Sequence, residues 1–113
     1  MLEKDITAKI IKFLNGLPFT HAHKVHGGPY GGGEPDIDAT MYGRTLKIEV
    51  KLPGGKPTER QAAILSKWEK AGAHVGCATS VDEAVAIVVK LLRSCDHPET
   101  DRLAAQLQNG LHQ

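Results

Sequence analysis

Residues 31–55, GGGEPDIDATMYGRTLKIEVKLPGG, decide the fold. Between Asp36 and Lys51 apolar and polar side chains alternate, the pattern of two strands with one face on a core. Successive strand residues point to opposite faces. Leu46, Ile48 and Val50 therefore form one set, and Lys47, Glu49 and Lys51 the other. On the preceding strand Ile37, Ala39 and Met41 are the apolar set, and Asp36, Asp38 and Thr40 the polar one. A hairpin closing over Tyr42-Gly43 sets Asp36 opposite Glu49 and Asp38 opposite Lys47. Directly opposed residues lie roughly 4.5–5.5 Å apart at Cβ. Two ionised carboxylates at that separation repel unless one takes a proton or a cation lies between them. A hard divalent cation such as Mg²⁺ is held by one or two carboxylates with water and phosphate oxygens, and Lys51 emerges beside Glu49 on the same face. The same residues also fit a solvated sheet face on which Asp38 and Lys47 form an ordinary cross-strand ion pair.

Working outward, residues 2–16 read as a helix. Leu2, Ile6, Ile10, Phe13, Leu14 and Leu17 recur at helical steps, and Gly16 with Pro18 ends the pattern. Residues 20–26, THAHKVH, alternate like a strand. Residues 27–35, GGPYGGGEP, are a loop. After the loop LPGGKP, Thr58 and Gln61 have the spacing of a capping box opening a helix to about Ala71, with Gly72 as its stop. HVGCATS (74–80) is a fourth strand, and Ser80 with Glu83 opens the helix VDEAVAIVVKLLRS. The order is α-β-β-β-α-β-α, an α/β fold with a mixed sheet flanked by helices. Residues 1–94 form the domain, and 95–113 read as a polar, loosely held tail with one short helix after Pro98.

The bulk properties exclude several classes. A chain of 113 residues supports one core. No run approaches the roughly 20 apolar residues of a membrane span. The N-terminal MLEKDITAKI carries charge throughout and lacks a signal-peptide core. Cys77 and Cys95 have no metal-site spacing and read as reduced thiols, as in a cytoplasmic protein. Net charge is +1, but residues 51–70 hold five basic side chains against two acidic, whereas residues 71–113 hold three against five. The basic segment is either a phosphate-tracking surface or a solvated face of mixed charge.

Pro35-Asp36, twelve intervening residues and Glu49-Val50-Lys51 resemble the PD-(D/E)XK nuclease signature. The surrounding GEPDI, IEVK, GGKPTERQ and AGAHVGCATSVDEA look like the VRR-NUC branch of that superfamily, which is similar to Holliday junction resolvases. The resemblance spans about residues 1–90. It implies a restriction-endonuclease-like sheet and Mg²⁺- or Mn²⁺-dependent hydrolysis of DNA phosphodiesters. By the same resemblance Asp36 bridges metal and phosphate, Glu49 is the second ligand, and the Val50 carbonyl completes the set. Lys51 orients the attacking water, Gln61 lies near the site, and Glu3 contacts the metal or its waters. The residues themselves also allow Glu3 to serve the helix dipole and Gln61 to serve only the cap. A minimal domain without a separate DNA-binding module suggests a homodimer set across branched DNA, in a bacterial or phage-encoded protein of the cytoplasm. The alternatives are a flap, nick or general duplex nuclease, an inactive nucleic-acid-binding module, and a structural domain with a solvated acidic face.

The glycine segment lacks the Gly-Lys-Ser/Thr and the following helix of a nucleotide loop. It suits close approach of a DNA backbone at Gly32, with Tyr30 either stacking on a base or packing on the loop. Lys56 and Arg60 lie at the end of the helix nearest Lys51, where cations can hold a DNA strand. His21 and His23 share a strand face and His26 points away, so the three do not converge on a zinc ion. Trp68 has helical spacing with Ile64, Leu65 and Ala71, as a core or interface residue does.

Overall fold

The structure, a computed structural model, describes residues 1–26 and 32–111. Its elements run α1 (Glu3–Asn15), β1 (Thr20–Lys24), β2 (Ile37–Met41), β3 (Arg44–Val50), α2 (Glu59–Lys70), β4 (His74–Ala78), α3 (Val81–Ser94) and α4 (Pro98–Leu111). The strands form one sheet in the order β1-β2-β3-β4, antiparallel except for the parallel β3–β4 pair. Parallel neighbours need a crossover, and α2 supplies it.

The β2–β3 hairpin has the register expected from its alternation: Ile37 pairs with Ile48, Asp38 with Lys47 and Met41 with Arg44. Its two-residue turn takes positive φ at both positions, 49° at Tyr42 and 76° at Gly43. That combination matches the twist of the flanking strands. At the outer edge of β1, the Asn15 amide donates to the Ala22 carbonyl at 3.0 Å and accepts from its N–H at 2.8 Å. One side chain thus occupies ladder groups that an edge strand otherwise offers to another chain.

One face of the sheet carries the core. Ile6, Ile10 and Leu14 of α1 and Val85, Val88, Leu91 and Leu92 of α3 close over Ile37, Ala39, Met41, Leu46, Ile48, Val50 and Ala78. The other face is not the open, solvated one that mixed charge suggests. Lys47 is only 8% exposed and Glu49 only 2%, and α2 packs on β3 and β4. The Lys47 ammonium sits 3.9 Å from the centroid of the Trp68 ring while donating to Asp38 Oδ1 at 2.9 Å. A buried cation thereby gains both a counter-ion and an aromatic face.

The helix caps largely follow the sequence. Thr58 Oγ1 accepts from Gln61 N–H at 3.1 Å, and Gln61 Oε1 accepts from Thr58 N–H at 2.9 Å, completing the box. At α3 the N-cap is Ser80, as expected, but the reciprocal half of the box is not made to it. Ser80 accepts from Glu83 N–H, but the Glu83 carboxylate turns to Thr79, taking hydrogen bonds from its N–H and its hydroxyl. These bonds hold the Glu83 carboxyl below its usual range.

The C-terminal segment differs from the loosely held tail of the sequence reading. α4 runs from Pro98 and packs along α3. Ala104 is fully buried in the core, with Leu103 and Leu107 against it, and Arg93 of α3 hydrogen-bonds Gln108. The segment is polar in composition, yet Leu103, Ala104 and Leu107 recur at helical spacing and suffice for one apolar stripe.

Candidate functional site

The site is built at the junction of three strands. Asp36 is the residue before β2 and is fixed from two sides. Its carbonyl accepts from Val25 N–H at 2.8 Å, continuing the β1–β2 pairing. Its carboxylate Oδ2 accepts from Val50 N–H at 2.8 Å, across the β2–β3 junction. Pro35, itself fully buried, sets the extended entry to that position. Val50 N–H is spoken for by Asp36, and Lys51 N–H continues the ladder to the Ala78 carbonyl at 3.1 Å.

Glu49 lies beside Asp36, buried, and its Oε2 has no hydrogen-bond partner. Burial pushes its carboxyl up to about 8; the hydrogen bond and charge of Asp36 add to the rise, Lys51 opposes it, and Glu3 contributes least. The two acids are thus close enough to share a proton or a cation, with the Lys51 ammonium near enough to matter. Glu3, exposed in the first turn of α1, reaches the pair only through its charge. On the far side β4 sets Cys77 in register with Glu49. Burial and the charge of Glu49 raise the Cys77 thiol above its ordinary value.

The remaining expected residues fall around this pair. Gln61 is half-buried, with its amide oxygen committed to the Thr58 cap, leaving the Nε2 amide for another partner. Lys56 is exposed on the loop before α2. Arg60 is exposed on α2 and lies along the glycine segment: a Cβ built at Gly32 would be 3.7 Å from its Nη1, and one at Gly33 would be 3.1 Å from its Cγ and Nε. Gly33 has φ of 97°, and the same Cβ would collide with Ile64 Cδ1 at 2.7 Å, so this position requires glycine. Tyr30 lies outside the described residues.

His21 and His23 stand side by side on β1, ring centroids 6.5 Å apart, and His23 reaches towards Asp38 Oδ2 at 3.8 Å. Among the described residues, no three histidine, cysteine or acidic side chains form a ready-made metal cage. The strands bring together a pair of carboxylates. Two contacts escaped sequence reasoning. Trp68 Nε1 donates to Glu34 Oε2 at 3.1 Å, tying α2 to the segment that enters Asp36. The parallel β3–β4 register brings Cys77 to Glu49. Both join residues far apart in the chain, and no local pattern marks them.

The element order and the mixed four-stranded sheet flanked by helices give a restriction-endonuclease-like α/β fold. Solved structures make this specific. One described as a "VRR_NUC domain" superposes with a TM-score of 0.62 at 22% identity, covering 72% of this chain and 87% of its own. A second, a "VRR_NUC domain protein", gives a TM-score of 0.63 at 16% identity, covering 78% of this chain and 85% of its own. The chain has the VRR_NUC fold. No protein-family profile matches the sequence, and no curated protein matches it.

Proposed function

We propose that this domain is a divalent-metal-dependent DNA endonuclease that hydrolyses phosphodiester bonds and selects branched DNA, in the manner of a Holliday junction resolvase. The observation that carries the reading is the buried Glu49 carboxylate, set against Asp36 with one oxygen unpartnered. A buried acid pair without a counter-cation is costly, and the donor set suits a hard cation. Two carboxylates suit Mg²⁺ or Mn²⁺, which keep positions for water and phosphate oxygens. The residues that would hold it are Asp36 and Glu49, with the Val50 carbonyl and, through water, Glu3. When bound, the cation supplies Lewis-acid polarisation of the scissile phosphate.

The protein's own groups do the rest. The Asp36–Val50 hydrogen bond locks the first carboxylate in place, so little reorganisation accompanies the reaction. Lys51 orients the attacking water and offsets charge building on the phosphate oxygens. Gln61 offers its amide N–H to water or phosphate. Lys56 and Arg60 hold the DNA backbone, with Gly32, which has no side chain of its own, next to Arg60. In this reading the protein acts in the cytoplasm as a homodimer, with two sites meeting two strands of a junction. No helix among the described residues is long and apolar enough to cross a membrane.

The test is cleavage of matched junction, flap, single-stranded and linear duplex DNA, with Mg²⁺ or with EDTA. The reading expects metal-dependent cutting that favours the junction. Lys51→Ala should keep DNA and metal binding and lose cleavage by about 10²- to 10³-fold. Wild-type cutting by that variant contradicts the role of Lys51. Equal cutting of every substrate removes the junction preference and leaves a general nuclease.

A further inference from the structure

Trp68 reaches both flanks of Asp36. Two residues before Asp36, Glu34 Oε2 accepts a hydrogen bond from Trp68 Nε1 at 3.1 Å. Two residues after it, Asp38 Oδ1 accepts from the Lys47 ammonium at 2.9 Å, and that ammonium lies 3.9 Å from the centroid of the Trp68 ring. The links on either side are stiff. Pro35 joins Glu34 to Asp36, is fully buried, and has its φ fixed by the pyrrolidine ring. Ile37 joins Asp36 to Asp38, is fully buried and is paired with Ile48. Between these flanks the Asp36 carboxylate accepts from Val50 N–H at 2.8 Å. Of the acids Glu34, Asp36, Asp38 and Glu49, the first and third are thus engaged with Trp68 and Lys47, and Asp36 stands beside Glu49.

We propose that Trp68 is a positioning residue of this site. By holding Glu34 and, through Lys47, Asp38, it fixes the Asp36 carboxylate for Val50 N–H and for the cation that Asp36 and Glu49 would share. The indole N–H is committed to Glu34, so its effect on Asp36 passes through the backbone between them. Removing a group that orients a metal's ligands typically weakens metal affinity by about 10- to 100-fold. The part of this inference that concerns a cation rests on the proposed metal-binding role of the acid pair. The placing of Asp36 does not.

Amide hydrogen exchange in the metal-free full chain reads the placing of Asp36 at Val50 N–H. The neighbouring Lys51 N–H, bonded to the Ala78 carbonyl at 3.1 Å, is the control. Trp68→Phe keeps a ring beside Lys47 and removes the indole donor. It should lower protection at Val50 by roughly three- to tenfold, the worth of one hydrogen bond, and leave Lys51 unchanged. Glu34→Ala should do the same, whereas Glu34→Gln, which keeps an acceptor oxygen, should behave as wild type. Lys47→Met, which releases Asp38 and leaves the ring, should also loosen Val50 selectively. Mn²⁺ affinity, followed by electron paramagnetic resonance, should fall about tenfold in Trp68→Phe and Glu34→Ala and hold in Glu34→Gln. Unchanged protection at Val50 in Trp68→Phe overturns the inference. So does an equal loss at Val50 and Lys51, which marks a purely structural role, and so does Mn²⁺ affinity that none of these variants alters. A wild-type chain that binds no Mn²⁺ overturns the proposed function instead, and the two amides still decide the role of Trp68.

Discussion

At position 49 a carboxyl group is held almost wholly out of water, against a second acid and with one oxygen unpartnered. Its pKa is raised from an ordinary 4.5 to about 8. Between those values the folded chain keeps a proton that the unfolded chain has lost. Folding stability without metal therefore falls as pH rises through this window, by up to roughly 1.4 kcal/mol per pH unit, and levels off above it. Urea denaturation across that range measures the slope. Glu49→Gln, which cannot ionise, should flatten it; a slope unchanged in that variant places the titration elsewhere. Mg²⁺ should reverse the trend, because a ligand that binds only the folded state stabilises it, and it competes less with protons as pH rises. The pairing of Asp36 with Glu49 was legible in the sequence because a two-residue turn fixes every partner in a hairpin. The burial of Glu49 was not: alternation separates two faces without saying which of them a helix will cover.

Among the elements, α2 does most to shape the site. Trp68 covers Lys47 and holds Glu34, while Arg60 and Ile64 pack against Gly32 and Gly33. The segment entering Asp36 is therefore seated on α2. Gly33→Ala combines positive φ with a collision at Ile64, and it should cost about 1–3 kcal/mol. It should also lower cleavage more than that instability explains, since the entry to Asp36 moves; thermal denaturation and cleavage rates at a temperature where both proteins are folded separate the two effects. Wild-type stability in this variant would mean that Gly33 is not held as described. The caps and bounds of α2 were legible from Thr58, Gln61 and Gly72. The partners of its inner face were not, because helical spacing places Trp68 on a stripe without naming what the stripe meets.

For the whole molecule, the element order was legible because each strand and helix carries its own periodicity and punctuation. A helix after Pro98 was legible too, but its packing was not, because a polar composition concealed three apolar positions at helical spacing. The change of composition after residue 94 is not a break in packing, since Ala104 completes the core between α3 and α4. Ala104→Asp places an unpaired acid there and should destabilise the entire fold by on the order of 3 kcal/mol; cooperative unfolding at unchanged denaturant midpoint would show that α4 is dispensable. In the proposed function the acid pair is where a divalent ion would enter. Calorimetric titration of Mn²⁺ into the full chain near neutral pH tests this most directly, compared with Glu49→Gln in buffers of different ionisation enthalpy. The wild type should bind with release of close to one proton per ion, the one Glu49 holds, and Glu49→Gln should bind at least tenfold more weakly without releasing it. Equal affinity and equal proton release in the two proteins would contradict the account.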